Sequence, residues 1–452
     1  MSIYTKIDPG KITSDLIEYL SYEYEFWIPT RKGKIKKIQK KCMISSGVFL
    51  SGFQETVTKL TKEKFKKEKF EYKKLNLNGI KLEKNQKRLL LKTIRNNRGV
   101  LHAPTGIGKT VIAASIISIF RDYKIVFVCN TTDLLLQTID EFKKILGTDP
   151  NIISDGDLID NGSNLTIAMA QSLKKYFDFL ESTEIVIIDE CHEDIEENGR
   201  LWNFLHILKA KKIYGLTATI PNDKKRSLLL EGLVGPVIGM ITYQEGIDSG
   251  RLSDVIVNIV KINLQPNQNL KWSVPKMIFV KGKEKKIRKY PVLDWFIQNP
   301  ERNIAIRDII KKHKGESFLI TVIQIRHGKI IEKFLNESGI DSIFISGKDD
   351  KESRLKTKDQ LENKQKIVIT TRIWNKGINI PNLNHVVNAG GMISEISTLQ
   401  IAGRGTRRTN KKNIVNIWDF WDKGKYLRKH SQERLKSYKK MNWTIKYKRS
   451  VK

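Results

Sequence analysis

Residues 103 to 110 read APTGIGKT, with the strand-like run RGVLH before them and the helix-like run VIAASIISIF after them. This stretch constrains the fold more than any other in the chain. A loop of this pattern between a strand and a helix brings backbone N–H groups onto a single anion. Gly106 and Gly108 supply the backbone freedom the turn needs. The helix begins there, so its positive end faces the same point. Lys109 adds a point charge for β- and γ-phosphates, and the Thr110 hydroxyl is placed to ligate Mg²⁺. The loop therefore predicts a nucleoside triphosphate site, with Thr105, Gly106, Ile107, Gly108, Lys109 and Thr110 around ATP.

The surrounding chain agrees. From about residue 80, the apolar runs RGVLHA, KIVFVC, LTIAMA, EIVIID and KIYGLTAT alternate with amphipathic stretches such as LLLQTIDEFKKIL. Alternation of this kind predicts βα units and a parallel sheet. A second series, SFLITVI, DSIFIS, KIVITT, HVVNAG and NIVNIWDF, begins near residue 302. The reading is two tandem α/β domains joined near YQEGIDSGRLSD, covering 79–245 and 246–440. Residues 1–78 read as a small α+β accessory domain, with strands in YEYEFWIPT and CMISSGVFLSGF and a basic run, RKGKIKKIQKK, between them. Residues 441–452 read as a basic tail.

Charge narrows the partner. With 82 Lys and Arg against 49 Asp and Glu, the 452-residue chain carries a net charge of +33. Such self-repulsion points to a polyanion, nucleic acid before membrane. There is no apolar run of about 18 residues, which argues against a membrane span, and the N-terminus lacks a signal-peptide layout. Cys42, Cys129 and Cys191 are widely spaced, which argues against a disulfide framework and fits a reducing cytoplasm, that of a host cell if the chain is viral. The basic runs of residues 1–78 read either as solvated surface or as a DNA-binding module.

In EIVIIDECHED, Asp189 and Glu190 end a strand, at the sheet edge where open α/β folds hold ligands. Asp189 is placed to hold Mg²⁺ and Glu190 to polarise the attacking water. Adjacent strand residues point to opposite faces, so Asp189, Glu190, Cys191 and His192 do not converge on one ion. Cys191 reads as packing.

With these motifs in this order, the chain resembles the superfamily 2 nucleic-acid helicases of the DExH type, from about residue 82 to 437. The resemblance implies two RecA-like domains that bind ATP between them. It implies an adenine contact for Gln86, although the usual Arg and Tyr before it are missing. NTTDLLLQ, AMAQSL and the segment near ISGKDDKESR imply strand contacts at Thr131, Gln171, Gly347 and Arg354. TTRIWNKGINIP adds Thr371 to the strand and places Gly377 and Asn379 near the nucleotide, with Asn379 where the family carries Asp. Thr217, Ala218 and Thr219, with His192, are implied to couple nucleotide state to strand grip. QIAGRGTRR fits the arginine-finger motif, with Gln400, Arg404 and Arg407 acting on the γ-phosphate. Arg404 and Arg407 stand three apart, on one helix face.

A narrower likeness, carried by IRHGKII, GINIPNLNHVV and WDFWDKGKYLRKHSQERLKSY, is to phage branch-migration helicases of the UvsW type. It implies work on forked, branched or single-stranded DNA in replication, recombination or repair. The same motor motifs also suit an RNA helicase or a duplex translocase, since motif does not fix substrate. A passive nucleic-acid-binding protein is the remaining class, and the intact Lys109, Glu190 and Arg407 argue against it.

Overall fold

The computed structural model of the chain describes residues 4–28, 34–43, 47–65, 69–154, 156–193, 195–197, 199–208, 210–264, 266–267, 271, 273–280, 283–363, 366–371, 383–391 and 414–448. The chain divides into two compact units, Met1–Glu245 and Gly246–Lys452.

The first unit opens with β1 (Tyr4–Lys6), β2 (Ser21–Ile28), β3 (Lys34–Lys41) and β4 (Val48–Leu50). β1 pairs antiparallel with β4, and β2 with β3. Residues Lys34–Lys41 of the basic run expected to link two strands therefore form the strand β3. Residues on both sides of position 78 share one apolar core. Leu16, Phe49, Phe53 and Val57 belong to one apolar cluster with Val100, Leu228, Leu230 and Leu233 of the larger layer. Each such side chain contributes about 1.5–3 kcal/mol on burial. The docking is close enough to need glycine on both sides. A Cβ at Gly52 would overlap the Glu231 carbonyl oxygen, and one at Gly232 would come within 2.6 Å of Leu50 Cδ1.

The main sheet of this unit contains β5 (Arg98–His102), β6 (Ile125–Cys129), β7 (Asn151–Ser154), β8 (Asp157–Ile159), β9 (Leu165–Met169), β10 (Ile185–Asp189), β11 (Lys212–Thr217) and β12 (Val237–Met240). Their spatial order is β12-β5-β11-β10-β6-β9-β7-β8. Neighbours run parallel except β7 with β8. The central strands are covered on both faces, which is why they read as unbroken apolar runs. The helix Lys109–Ile119 is likewise enclosed, with every residue from Ile112 to Ile119 buried. Its two interior serines are satisfied, Ser115 by donating to the Val111 carbonyl at 2.7 Å and Ser118 to the Asn76 carbonyl at 2.8 Å.

The second unit contains β13 (Asp254–Lys261), a two-stranded ribbon of β14 (Val274–Val280) and β15 (Lys283–Lys289), then β16 (Phe318–Thr321), β17 (Ser342–Ile345), β18 (Ile367–Thr370), β19 (His385–Asn388), β20 (Ile414–Trp421) and β21 (Thr444–Lys448). Seven of these form a parallel sheet in the order β17-β18-β16-β19-β20-β13-β21. Part of the stretch expected to be a basic tail is thus a sheet strand. β21 adds to β13 in register from Ile256 with Thr444 to Val260 with Lys448. The helix Lys425–Lys440 before it is tied down by buried charge. Arg434 Nε donates to both Asp419 carboxylate oxygens, at 3.1 and 2.8 Å, and Tyr438 donates to Asp419 at 2.7 Å. No helix among the described residues is long and apolar enough to cross a membrane.

Candidate functional site

Because β5, β11, β10 and β6 are parallel neighbours, their carboxyl ends share one edge, and the loops that follow them meet there. The loop after β5 carries residues 103–108, with Gly106 and Gly108 both at φ +88°. This left-handed backbone favours glycine. Gly108 is constrained a second way, since a Cβ there would lie 2.7 Å from Gln86 Nε2. Ile107 is buried, and Thr105, Gly106 and Thr110 are part-exposed. The structure gives Gln86 a bracing position. It is 1% exposed, accepts the Glu83 backbone N–H at 3.1 Å, and donates to the Ile107 carbonyl at 3.0 Å. Its amide supports the phosphate loop from the adjoining helix.

Lys109 Nζ lies 3.3 Å from Glu190 Oε1 and 3.4 Å from the Ala103 carbonyl. Glu190 stands just past β10 at φ +45°. For a residue with a Cβ this conformation costs on the order of 1–2 kcal/mol, and such strain concentrates at working sites. It turns the Glu190 carboxylate toward Lys109 on one side and toward Thr217 and His192 on the other, at 3.4 Å from each. Burial, and then the negative charge of Glu190, push the Asp189 carboxyl up to about 7, against the pull of the Lys109 ammonium. Two carboxylates here share one lysine, a local negative excess that a divalent cation would relieve. Thr110 and Asp189 supply hard oxygen donors of the kind Mg²⁺ prefers.

Beyond Glu190 the hydrogen bonds reach the end of β11. The Thr217 hydroxyl donates to the Thr219 carbonyl at 2.8 Å and accepts the Thr219 N–H at 3.0 Å. His192 Nδ1 approaches that hydroxyl at 2.7 Å. The hydroxyl's single proton is committed to Thr219, so His192 donates through Nδ1. Its buried Nε2 has no partner among the described residues. Burial holds this imidazole below its usual pKa, with Glu190 and Glu193 pulling the other way. The Ala218 carbonyl lies 3.1 Å from His102 Nε2, which joins this loop to the end of β5. Cys191 is fully buried, and a Cβ at Gly215 would sit 2.5 Å from its sulfur.

Two residues at this edge carried no clear sign in the sequence. Asn130 Nδ2 donates to Glu193 Oε2 at 3.1 Å and approaches the Asp189 carbonyl at 3.5 Å. Arg226 donates to the His192 carbonyl at 3.2 Å. Nothing local marked Arg226, which comes from a helix 34 positions on.

The residues named for strand contact are spread more widely. The Thr131 hydroxyl caps the helix Thr132–Leu146 by accepting Leu134 N–H at 3.3 Å. Gln171 is exposed in the turn after β9, and Gly347 is exposed after β17. Thr371 follows β18 directly, and Arg354 lies on the helix Lys351–Asn363. Gly377, Asn379, Gln400, Arg404 and Arg407 lie outside the described residues.

One other cluster in the second unit has ligating atoms close together, His313, Glu316 and His385. Its hydrogen bonds argue against a metal. Trp418 Nε1–H donates to His385 Nδ1 at 3.0 Å, so the imidazole proton is on Nε2, which donates to Glu316 at 2.7 Å. A metal-binding histidine instead donates from its second nitrogen to an acceptor. Buried His385 thus relays from Trp418 to the partly exposed Glu316.

Comparison with known proteins follows the same division of the chain. Residues 54–222 match the family described as type III restriction enzyme, res subunit, and residues 301–409 match the helicase conserved C-terminal domain. The chain is 24% identical over 397 residues to the ATP-dependent DNA helicase UvsW of Enterobacteria phage T4, covering 80% of this chain and 76% of that protein. It is 22% identical over 352 residues to the DNA 3'-5' translocase XPB2 of Sulfurisphaera tokodaii, covering 71% and 77%. In fold it is similar to the fragment structure of a putative HsdR subunit of a type I restriction enzyme from Vibrio vulnificus YJ016, with TM-score 0.59, 18% identity, and 81% and 67% of the two chains covered. It is also similar to S. cerevisiae Dbp5 bound to RNA and ADP BeF3, with TM-score 0.56, 15% identity, and 81% and 89% covered. With a phosphate loop and an acidic box on one sheet edge of the first unit, a parallel sheet in the second, and regions matching both family models, the chain is an ATP-hydrolysing nucleic-acid helicase.

Proposed function

We propose that the chain is a DNA helicase that unwinds or branch-migrates forked and four-way DNA in replication, recombination or repair, working in the cytoplasm. The observation that carries this reading is its similarity, over 80% of its length, to a phage protein named an ATP-dependent DNA helicase. The N-terminal basic residues then serve as a DNA-binding accessory to the motor.

In this reading the loop 103–108 and the N-terminus of the helix Lys109–Ile119 hold the ATP phosphates, and Lys109 neutralises their charge. Thr110 and Asp189 would hold Mg²⁺, which would supply positive charge against the ATP phosphates. Glu190 orients the attacking water and takes its proton. Lys109 keeps the Glu190 carboxylate aimed. Arg404 and Arg407 stabilise the charge that develops on the γ-phosphate, as arginine fingers do. Gln400, Gly377 and Asn379 complete the second domain's share of the nucleotide site. The proton-ordered contact from His192 to Thr217 carries nucleotide state to residues 217–219. Strand grip at Thr131, Gln171, Gly347, Arg354 and Thr371 then differs between the two states of the cycle.

A second reading, a translocase on duplex DNA, is favoured by the similarity to a protein named a DNA 3'-5' translocase. One preparation assayed on forked DNA, four-way DNA, linear duplex and RNA duplex separates the two. The proposal expects ATP-dependent strand exchange on forked and four-way DNA. Stimulated hydrolysis with no strand separation on any substrate would favour the translocase, and activity on RNA alone would overturn both.

A further inference from the structure

The ladder register sets Tyr22 directly opposite Lys40. Directly opposed residues of an antiparallel pair share a face, and so do residues two apart along a strand. Tyr22 and Lys40 therefore share one ribbon face. At the base of that face one carboxylate sits on both side chains. Tyr22 hydroxyl donates to Glu197 Oε1 at 3.2 Å, and Lys40 Nζ donates to Oε2. Although partial burial opposes it, this pair of donors holds the Glu197 carboxyl below its usual range.

A hydroxyl and an ammonium converging on a two-oxygen anion also suit a phosphodiester. Glu197 is not a distant residue. It lies seven positions after Glu190, in the short connection from β10 to the helix Arg200–Ile207. Ile195 of that connection is fully buried in the core shared with the N-terminal residues.

We infer that Tyr22 and Lys40 form a backbone-phosphate subsite for DNA on the β2–β3 ribbon, and that the chain's own Glu197 carboxylate fills it until a phosphate displaces it. The inference rests on the DNA reading above. Displacement frees Glu197 and loosens the connection that begins at the acidic box, so binding at the ribbon is felt at the ATP site. The Lys40 and Glu197 side chains are 44% and 30% exposed, so breaking the pair leaves the fold intact.

The test measures binding of a fluorescein-labelled forked DNA duplex by anisotropy across a salt series, with melting temperatures to confirm folding. Glu197→Gln removes a partly exposed charged competitor and tightens binding about two- to fivefold. Lys40→Met weakens binding and lowers the steepness of the log K against log salt plot by about 0.9. Tyr22→Phe, which removes only the hydroxyl, weakens binding less. In the Lys40→Met background, Glu197→Gln has no further effect, because the subsite it blocked is gone. Unchanged affinity in Glu197→Gln, or the same gain on both backgrounds, would overturn the inference, the latter by reducing it to long-range charge. Wild-type protein that binds no fork at all would overturn the DNA reading with it.

Discussion

Glu190→Gln tests the chemistry at the acidic box most directly. The substitution preserves size and leaves the φ +45° backbone as it is, so the side chain still points at Lys109, Thr217 and His192. It removes the one function an amide cannot supply, taking a proton from water. A positioned general base contributes roughly 10²–10⁴ in rate, or about 2.7–5.4 kcal/mol at 1.36 kcal/mol per decade. Nucleotide binding should not fall, because the Lys109 ammonium loses the carboxylate 3.3 Å away and keeps its full charge for phosphate. The assay is phosphate release at saturating DNA and ATP, beside titration with a fluorescent ATP analogue. The expected result is turnover reduced at least about 100-fold with affinity held or tightened. Turnover near wild type would remove Glu190 from the role of base. Equal loss of binding and turnover would show that the carboxylate mainly braces the loop.

Three other outcomes follow from particular residues. Arg407→Ala should lower hydrolysis by about 10³ or more while leaving ATP affinity nearly unchanged, since a finger acts on transition-state charge; equal losses in both would remove it from that role. Gly52→Ala should cost about 1–3 kcal/mol by forcing the N-terminal residues off the Glu231 carbonyl, read as a lower melting temperature and faster proteolysis within residues 1–78; an unchanged melt would refute the close docking. His327 is fully buried, neither ring nitrogen has a partner among the described residues, and burial followed by the Arg302 charge pushes it down to about 3. Its unfolded-state pKa near 6.5 then means that stability is complete above about pH 6.5 and falls as pH drops toward 3, by up to about 1.4 kcal/mol per unit. Melting between pH 7.5 and 5 should show this loss, and His327→Leu should reduce it; equal slopes for the two proteins would refute the assignment.

The chain's order alone was enough for the phosphate loop, the acidic box and the alternation that makes two parallel sheets. Each depends on neighbours within a few positions. Glycines at 106 and 108 allow one turn, a lysine and threonine open one helix, and two carboxylates stand at the end of one strand and just past it. Tertiary structure decided what joins distant positions. The basic run 34–41 became a strand because Ser21–Ile28 offered it a partner. Residues 444–448 left the expected tail because β13 had a free edge to pair. Gln86 took its bracing position only once its helix lay against the phosphate loop. Tyr22 and Lys40 met Glu197 only because glycines 52 and 232 let the N-terminal residues settle onto the larger layer. A hydrogen bond across 150 positions leaves no trace in local pattern, since its geometry comes from packing that the intervening chain builds.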